Sequence, residues 1–179
     1  MAAAGGLDPD LAAVDARRVV GLPVRPLDVE PLDVDRSAGP GEFQIDPAAV
    51  RGNHDAMLGS VWSGRVHDAY RVGDVVICHG HEVPDADAER YVVGHDHPAI
   101  EIEGRRRPCF LRGPYGDAEV VVLPAFTRLA AGAVVNGMSA RDFRTDLVTD
   151  ADALRPMVYD ADAGETLQFP PLGEFRRML

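Results

Sequence analysis

Five of the six histidines fall in three short clusters that each contain glycine: Gly52-Asn53-His54-Asp55, His79-Gly80-His81 and Gly94-His95-Asp96-His97. Imidazole near neutral pH is the commonest side-chain ligand for borderline metals, so clusters of this kind constrain the fold around them. Glycine beside a ligand lets the backbone turn sharply and approach an ion or a phosphate closely. Each cluster sits where the sequence predicts the end of a strand. Side chains at the carboxyl ends of strands converge on one edge of a sheet. The expectation is three loops meeting at one point.

The mixture of groups points to a chemistry. Two divalent cations about 4 Å apart activate a shared water and neutralise phosphoryl oxygens. Imidazole nitrogens with amide or carboxylate oxygens suit Mn, Fe or Zn better than Mg or Ca, which favour oxygen shells. A histidine that is not a ligand can donate a proton to a leaving alkoxide. A neighbouring carboxylate such as Asp55 can hold that imidazole in the required tautomer. Taken singly, each cluster has an ordinary explanation: Asn53-His54 as a turn, His79 as a strand end, His95-Asp96-His97 as a weak metal pattern. The three in this order argue against coincidence. His81 either contacts phosphate, supports a ligand or is structural, and His67 reads as an ordinary surface residue.

The strands follow from apolar runs. Val72 to Cys78 reads as one strand delivering His79 at its end, and Tyr91 to Val93 as a second ending at Gly94. Ile100 to Glu103 alternates and Gly104 marks a turn, with Cys109 to Arg112 as the expected hairpin partner. Glu119 to Leu123 is stopped by Pro124, and Ala133 to Asn136 forms a further strand. Arg105-Arg106-Arg107 reads as a solvated turn at a hairpin. A helix is expected to start within Ala56 to Val66, weakened by Gly59 and Gly64. Residues 140–179 read as a loop-rich tail with short strands at Met157 to Tyr159 and Thr166 to Phe169.

Residues 1–50 differ in character. They hold six of the 14 prolines and no histidine. A short helix is expected over Leu11 to Val20, ended by Gly21. Pro23, Pro26, Pro31, Pro40 and Pro47 then interrupt regular structure. The expected organisation is an extended or poorly ordered segment over 1–50 and one compact domain over 51–179.

Composition narrows the class. The net charge is −11 over 179 residues, and all 18 basic residues are arginine. Such acidity keeps a protein soluble where salt screens repulsion, which fits a halophilic source. It does not favour a broad nucleic-acid footprint, which needs a positive surface. Cys78 and Cys109 are too few for a disulfide framework, so a reducing cytoplasm is expected. No apolar run reaches the roughly 20 residues needed to span a bilayer.

Gly52-Asn53-His54-Asp55, then His79-Gly80, then Gly94-His95-Asp96-His97 resembles the last three motifs of the calcineurin-like metallophosphoesterase superfamily. His97 to Ile100, Cys109 to Leu111, Val122 to Phe126 and Val135-Asn136 resemble its archaeal branch related to SbcD, the nuclease subunit of a repair complex. The resemblance covers roughly residues 50–179. It implies a metal-dependent hydrolase with a four-layer α/β/β/α sandwich, here partial and strand-rich, with two metal ions in a complete member, manganese foremost. It implies Asn53, His79 and His95 on one metal, His97 on the other, and His54 as the catalytic histidine beside the phosphate.

The chain departs from that pattern at its beginning. The family's Asp-x-His motif is absent, and the only Gly-Asp pairs, Gly73-Asp74 and Gly116-Asp117, come after the Gly52 cluster. No spacing singles out Asp28, Asp33, Asp35 or Asp46 as a substitute bridge. The expectation is that the usual N-terminal strands are missing and residues 1–50 are not the ancestral N-terminus. That loss predicts lower stability or association to cover exposed strand edges. The readings carried forward are a phosphoesterase acting on a small phosphodiester, a nucleotide or nucleic acid, a non-catalytic remnant holding one metal or none, and an interaction module.

Overall fold

The computed structural model describes residues 48–127, 129–161 and 163–179. The expected helix over Leu11 to Val20, the extended chain after it and the carboxylates Asp28, Asp33, Asp35 and Asp46 lie outside the described residues.

Three neighbouring parallel strands form the centre: β4 (Val75–Cys78), β5 (Arg90–Val93) and β9 (Ala118–Val122). Their β-branched residues suit a surface covered on both faces. Val76, Val93, Val120 and Val122 are all 1% exposed or less. Burying each contributes roughly 1.5–3 kcal/mol. Cys78 pairs with Val93 and Val93 with Val122, so the three strands end in line. The alignment continues one step further: Gly94 N donates to His79 O at 3.1 Å and Leu123 N to Val93 O at 2.7 Å. Residues that follow β4 and β5 therefore emerge side by side.

Antiparallel strands extend this sheet on both sides. On one side lies β3 (Ala69–Val72), on the other β8 (Phe110–Tyr115), β11 (Arg155–Asp160) and β12 (Glu165–Gln168), giving seven strands in the order β12-β11-β8-β9-β5-β4-β3. A second sheet places β6 (Pro98–Ile102) between β10 (Ala133–Val134) and β7 (Arg105–Pro108). Ala99 and Ile100 of β6 are fully buried. A parallel pair, β1 (Ala48–Val50) and β2 (Arg65–His67), stands apart.

The helices are short. α1 (Leu58–Val61) and α2 (Leu172–Phe175) are single turns, and 3-10 turns occupy Ala140–Asp142 and Arg176–Met178. The described residues thus form a strand-rich fold with mixed sheets and few helices. No helix among them is long and apolar enough to cross a membrane.

Four expectations change. Val72 to Cys78 is not one strand: Gly73 at φ +56° and Asp74 make a two-residue hairpin turn between β3 and β4. Valines on both sides of that turn disguise the break. Cys109 to Arg112 does not pair with Ile100 to Glu103. The partner of β6 is β7, which contains Arg105, Arg106 and Arg107 and turns at Glu103-Gly104. The expected helix over Ala56 to Val66 is one turn. Residues 140–179 carry the two expected short strands, as β11 and β12, but they are not a tail, because Phe143, Leu147, Leu154, Leu172 and Phe175 lie in the core at 8% exposure or less.

Candidate functional site

The Gly52 cluster begins two residues after β1 and closes on itself. Asp55 N donates to Gly52 O at 3.1 Å, and Gly52 N donates to Asp55 Oδ2 at 2.9 Å. These two bonds hold Asn53 and His54 at the exposed tip of a turn. Glycine at position 52 permits a close approach. A Cβ there would lie 3.1 Å from Asp55 Oδ2 and 3.1 Å from two atoms of the His79 ring.

His79 follows β4 directly, and Gly80 then turns at φ +102°. A Cβ on Gly80 would lie 2.9 Å from Val93 Cβ and 3.3 Å from Thr145 Oγ1. The chain is thus drawn tightly past the end of β5 immediately after the His79 ring has been placed. His95 leaves β5 one residue after Gly94. Its Nδ1 stands 2.8 Å from His79 Nε2, and His79 Nε2 stands 3.2 Å from Asn53 Oδ1. Three strand ends thereby bring an amide oxygen and two imidazole nitrogens into one row.

The spacing of that row bears on what it can hold. Two ligands at right angles, each about 2.1 Å from a cation, stand about 3 Å apart. The two observed separations, 2.8 and 3.2 Å, bracket that figure. His79 Nε2 carries at most one proton, so it can make a linear donated hydrogen bond to only one of the two neighbours. The row thus offers two imidazole nitrogens and one amide oxygen at the spacing of neighbouring ligands. Among the described residues no group of three or more His, Cys, Asp or Glu side chains is arranged to hold a metal. The set consists of two imidazoles and an amide, with no carboxylate.

The local field disfavours the charged form of both rings. Burial lowers the pKa of His79, and the neighbouring His95 and His81 lower it further. Burial also lowers His95; the Asp96 carboxylate opposes this and Arg144 adds to it. Neutral rings keep lone pairs available for a ligand.

The other predicted residues lie around this row. His81 is exposed, its ring 5.4 Å from His79 and 6.3 Å from His95. His97 has φ +48° and lines a cleft of about 350 Å³ with His95, and among the described residues it makes no hydrogen bond to the row. His54 is exposed and makes no hydrogen bond among the described residues. The Asp55 carboxylate accepts the Gly52 N–H rather than an imidazole N–H. His67, expected at the surface, has its Nε2 buried with no partner among the described residues and its ring 5.1 Å from Tyr70.

Sequence reasoning passed over Asp96, Arg144 and Thr145. Asp96 Oδ1 accepts Arg144 N at 2.7 Å and Oδ2 accepts Thr145 N at 3.2 Å. This clamp ties a distant loop to the residue after His95. Its position inside a His-Asp-His motif was the one available signal for Asp96; nothing local marked its partners.

No protein-family model and no curated protein matches this chain. Among solved structures the chain is similar to the crystal structure of Pseudomonas putida nuclease MPE, at 24% identity and a TM-score of 0.44. The similarity covers 68% of this chain and 53% of that one, so this chain spans about half the length of the protein it matches there.

Proposed function

We propose that the chain is a metal-dependent phosphoester hydrolase whose Asn53, His79 and His95 hold one divalent cation, with manganese, iron or zinc suited to the donors. The observation that carries this reading is the row of Asn53 Oδ1, His79 Nε2 and His95 Nδ1, spaced at 3.2 and 2.8 Å. When bound, the cation would supply Lewis acidity toward a phosphoryl oxygen or a water. The protein's own part is to disfavour the charged form of both rings, to fix them at strand ends and to leave the row open on the exposed Asn53-His54 side. His54 is assigned the proton for the leaving oxygen, and its exposure leaves it free to meet a small phosphodiester or nucleotide. His97 is assigned to a second cation, which would need carboxylate donors in addition. The four-layer sandwich, the branch related to SbcD and a cytoplasmic setting belong to this same proposal.

One observation favours a second reading. Among the described residues no carboxylate joins the row, so the chain would bind a single metal without turnover. Elemental analysis of the manganese-loaded, gel-filtered chain, together with hydrolysis of bis(p-nitrophenyl) phosphate, separates the two. Bound metal with hydrolysis supports the enzyme, and a His54→Ala variant should then lose roughly 10²–10⁴-fold in rate while keeping its metal. Bound metal without hydrolysis supports the non-catalytic reading. A chain that retains no metal refutes both and leaves an interaction module.

A further inference from the structure

The cleft of about 350 Å³ beside the row is lined by His95, Asp96, His97, Met138, Asp142 and Arg144, among others. Its two carboxylates keep their charge but are held by hydrogen bonds from the protein. The two oxygens of Asp96 take the backbone N–H groups of Arg144 and Thr145. Asp142 Oδ2 takes both the N–H and the hydroxyl of Ser139, each at 2.8 Å. The Arg144 guanidinium is not engaged: among the described residues it makes no hydrogen bond or ion pair. A guanidinium offers five N–H groups in a planar fork that matches phosphate oxygens.

Arg144 is also held in place at its backbone. The clamp from Asp96 fixes its N–H, and the next residue, Thr145, is 2% exposed. Asp96 is itself the neighbour of His95. The cation at position 144 is therefore tied to the same strand end as the row, with its side chain exposed to the cleft.

We propose that this cleft is an oxyanion subsite in which Arg144 docks a phosphate group other than the one being hydrolysed. The preference that follows, for substrates carrying neighbouring phosphates over a lone phosphodiester, rests on the hydrolase reading; anion binding itself does not. The preference follows from adjacency, since His95 belongs both to the row and to the lining of the cleft.

The test is titration of inorganic pyrophosphate into the EDTA-treated full chain, wild type against Arg144→Ala, by calorimetry, with thermal melts of both. Loss of one bidentate Arg–phosphate contact should weaken binding about tenfold. The melts should coincide, because the Asp96 clamp uses backbone N–H groups that the variant keeps. In parallel, kcat/KM for a 5′-phosphorylated dinucleotide should fall about tenfold more in Arg144→Ala than kcat/KM for bis(p-nitrophenyl) phosphate. A tenfold loss of pyrophosphate affinity in a chain that hydrolyses nothing leaves the subsite standing and removes the hydrolase reading. Equal pyrophosphate affinity in both proteins, or none in the wild type, overturns the subsite even if hydrolysis is observed.

Discussion

Substituting Gly80 by alanine should be among the most damaging single methyl additions in this protein, and two separable effects set its size. The first is conformational. Gly80 sits at φ +102°, and a non-glycine residue forced into positive φ costs about 1–2 kcal/mol. The second is steric. The new Cβ would stand 2.9 Å from Val93 Cβ, an atom fixed to the backbone of a fully buried residue in β5, so no rotamer change relieves it. Overpacking of this kind costs about 1–3 kcal/mol. The expected loss is therefore about 2–5 kcal/mol, read from urea denaturation by linear extrapolation. Gly73→Ala isolates the first effect. Gly73 also has positive φ, +56°, but a Cβ there meets nothing within 4 Å. It should lose only the conformational 1–2 kcal/mol or so. If Gly80→Ala is no more destabilising than Gly73→Ala, the tight passage of the chain past the end of β5 is wrong, and with it the account of how His79 is placed.

Four other outcomes are expected. Gly52→Ala should change stability by about 1 kcal/mol or less, since the atoms its Cβ meets are side chains able to shift, yet it should weaken metal binding at least tenfold by displacing the His79 ring. Burial raises the Glu119 carboxyl, but hydrogen bonds from Arg112 and Arg90 outweigh it and hold the pKa below 4.5; the stabilisation is thus present above that value and lost as pH falls through the lowered folded pKa, so acid titration of Glu119→Gln should show a shallower loss of stability than wild type. Cys109 is fully buried and its thiol is pushed up to about 12, so an aromatic disulfide reagent at pH 8 should label it only after denaturant is added. Asp96→Ala should destabilise by about 1–3 kcal/mol, measured by denaturation, because two backbone N–H groups lose their acceptor.

The parallel centre was legible because its signals are local. Val72 to Cys78, Tyr91 to Val93 and Glu119 to Leu123 are short apolar runs stopped by His79-Gly80, Gly94 and Pro124, and the histidine clusters follow two of them directly. The convergence of His79 and His95 then depends only on β4 and β5 being parallel neighbours in register. What was not legible depends on partners far along the chain. Arg105 to Pro108 has no apolar alternation and is a strand because β6 lies beside it. Gly73-Asp74 hides between valines that look continuous. Phe143, Leu147, Leu154 and Phe175 show no helix or strand period, since they are carried by turns whose backbone is held by Thr145, Asp150 and Asp152. The Asp96 clamp reaches Arg144 and Thr145 across 48 and 49 residues, beyond any spacing rule.

Calorimetric titration of Mn2+ or Zn2+ into the metal-free chain and into Asn53→Ala, His79→Ala and His95→Ala tests the central claim most directly. The wild type should show a site whose affinity falls about tenfold or more in Asn53→Ala and at least a hundredfold in each histidine variant. Unchanged affinity in His79→Ala or His95→Ala, with the fold intact, would contradict it.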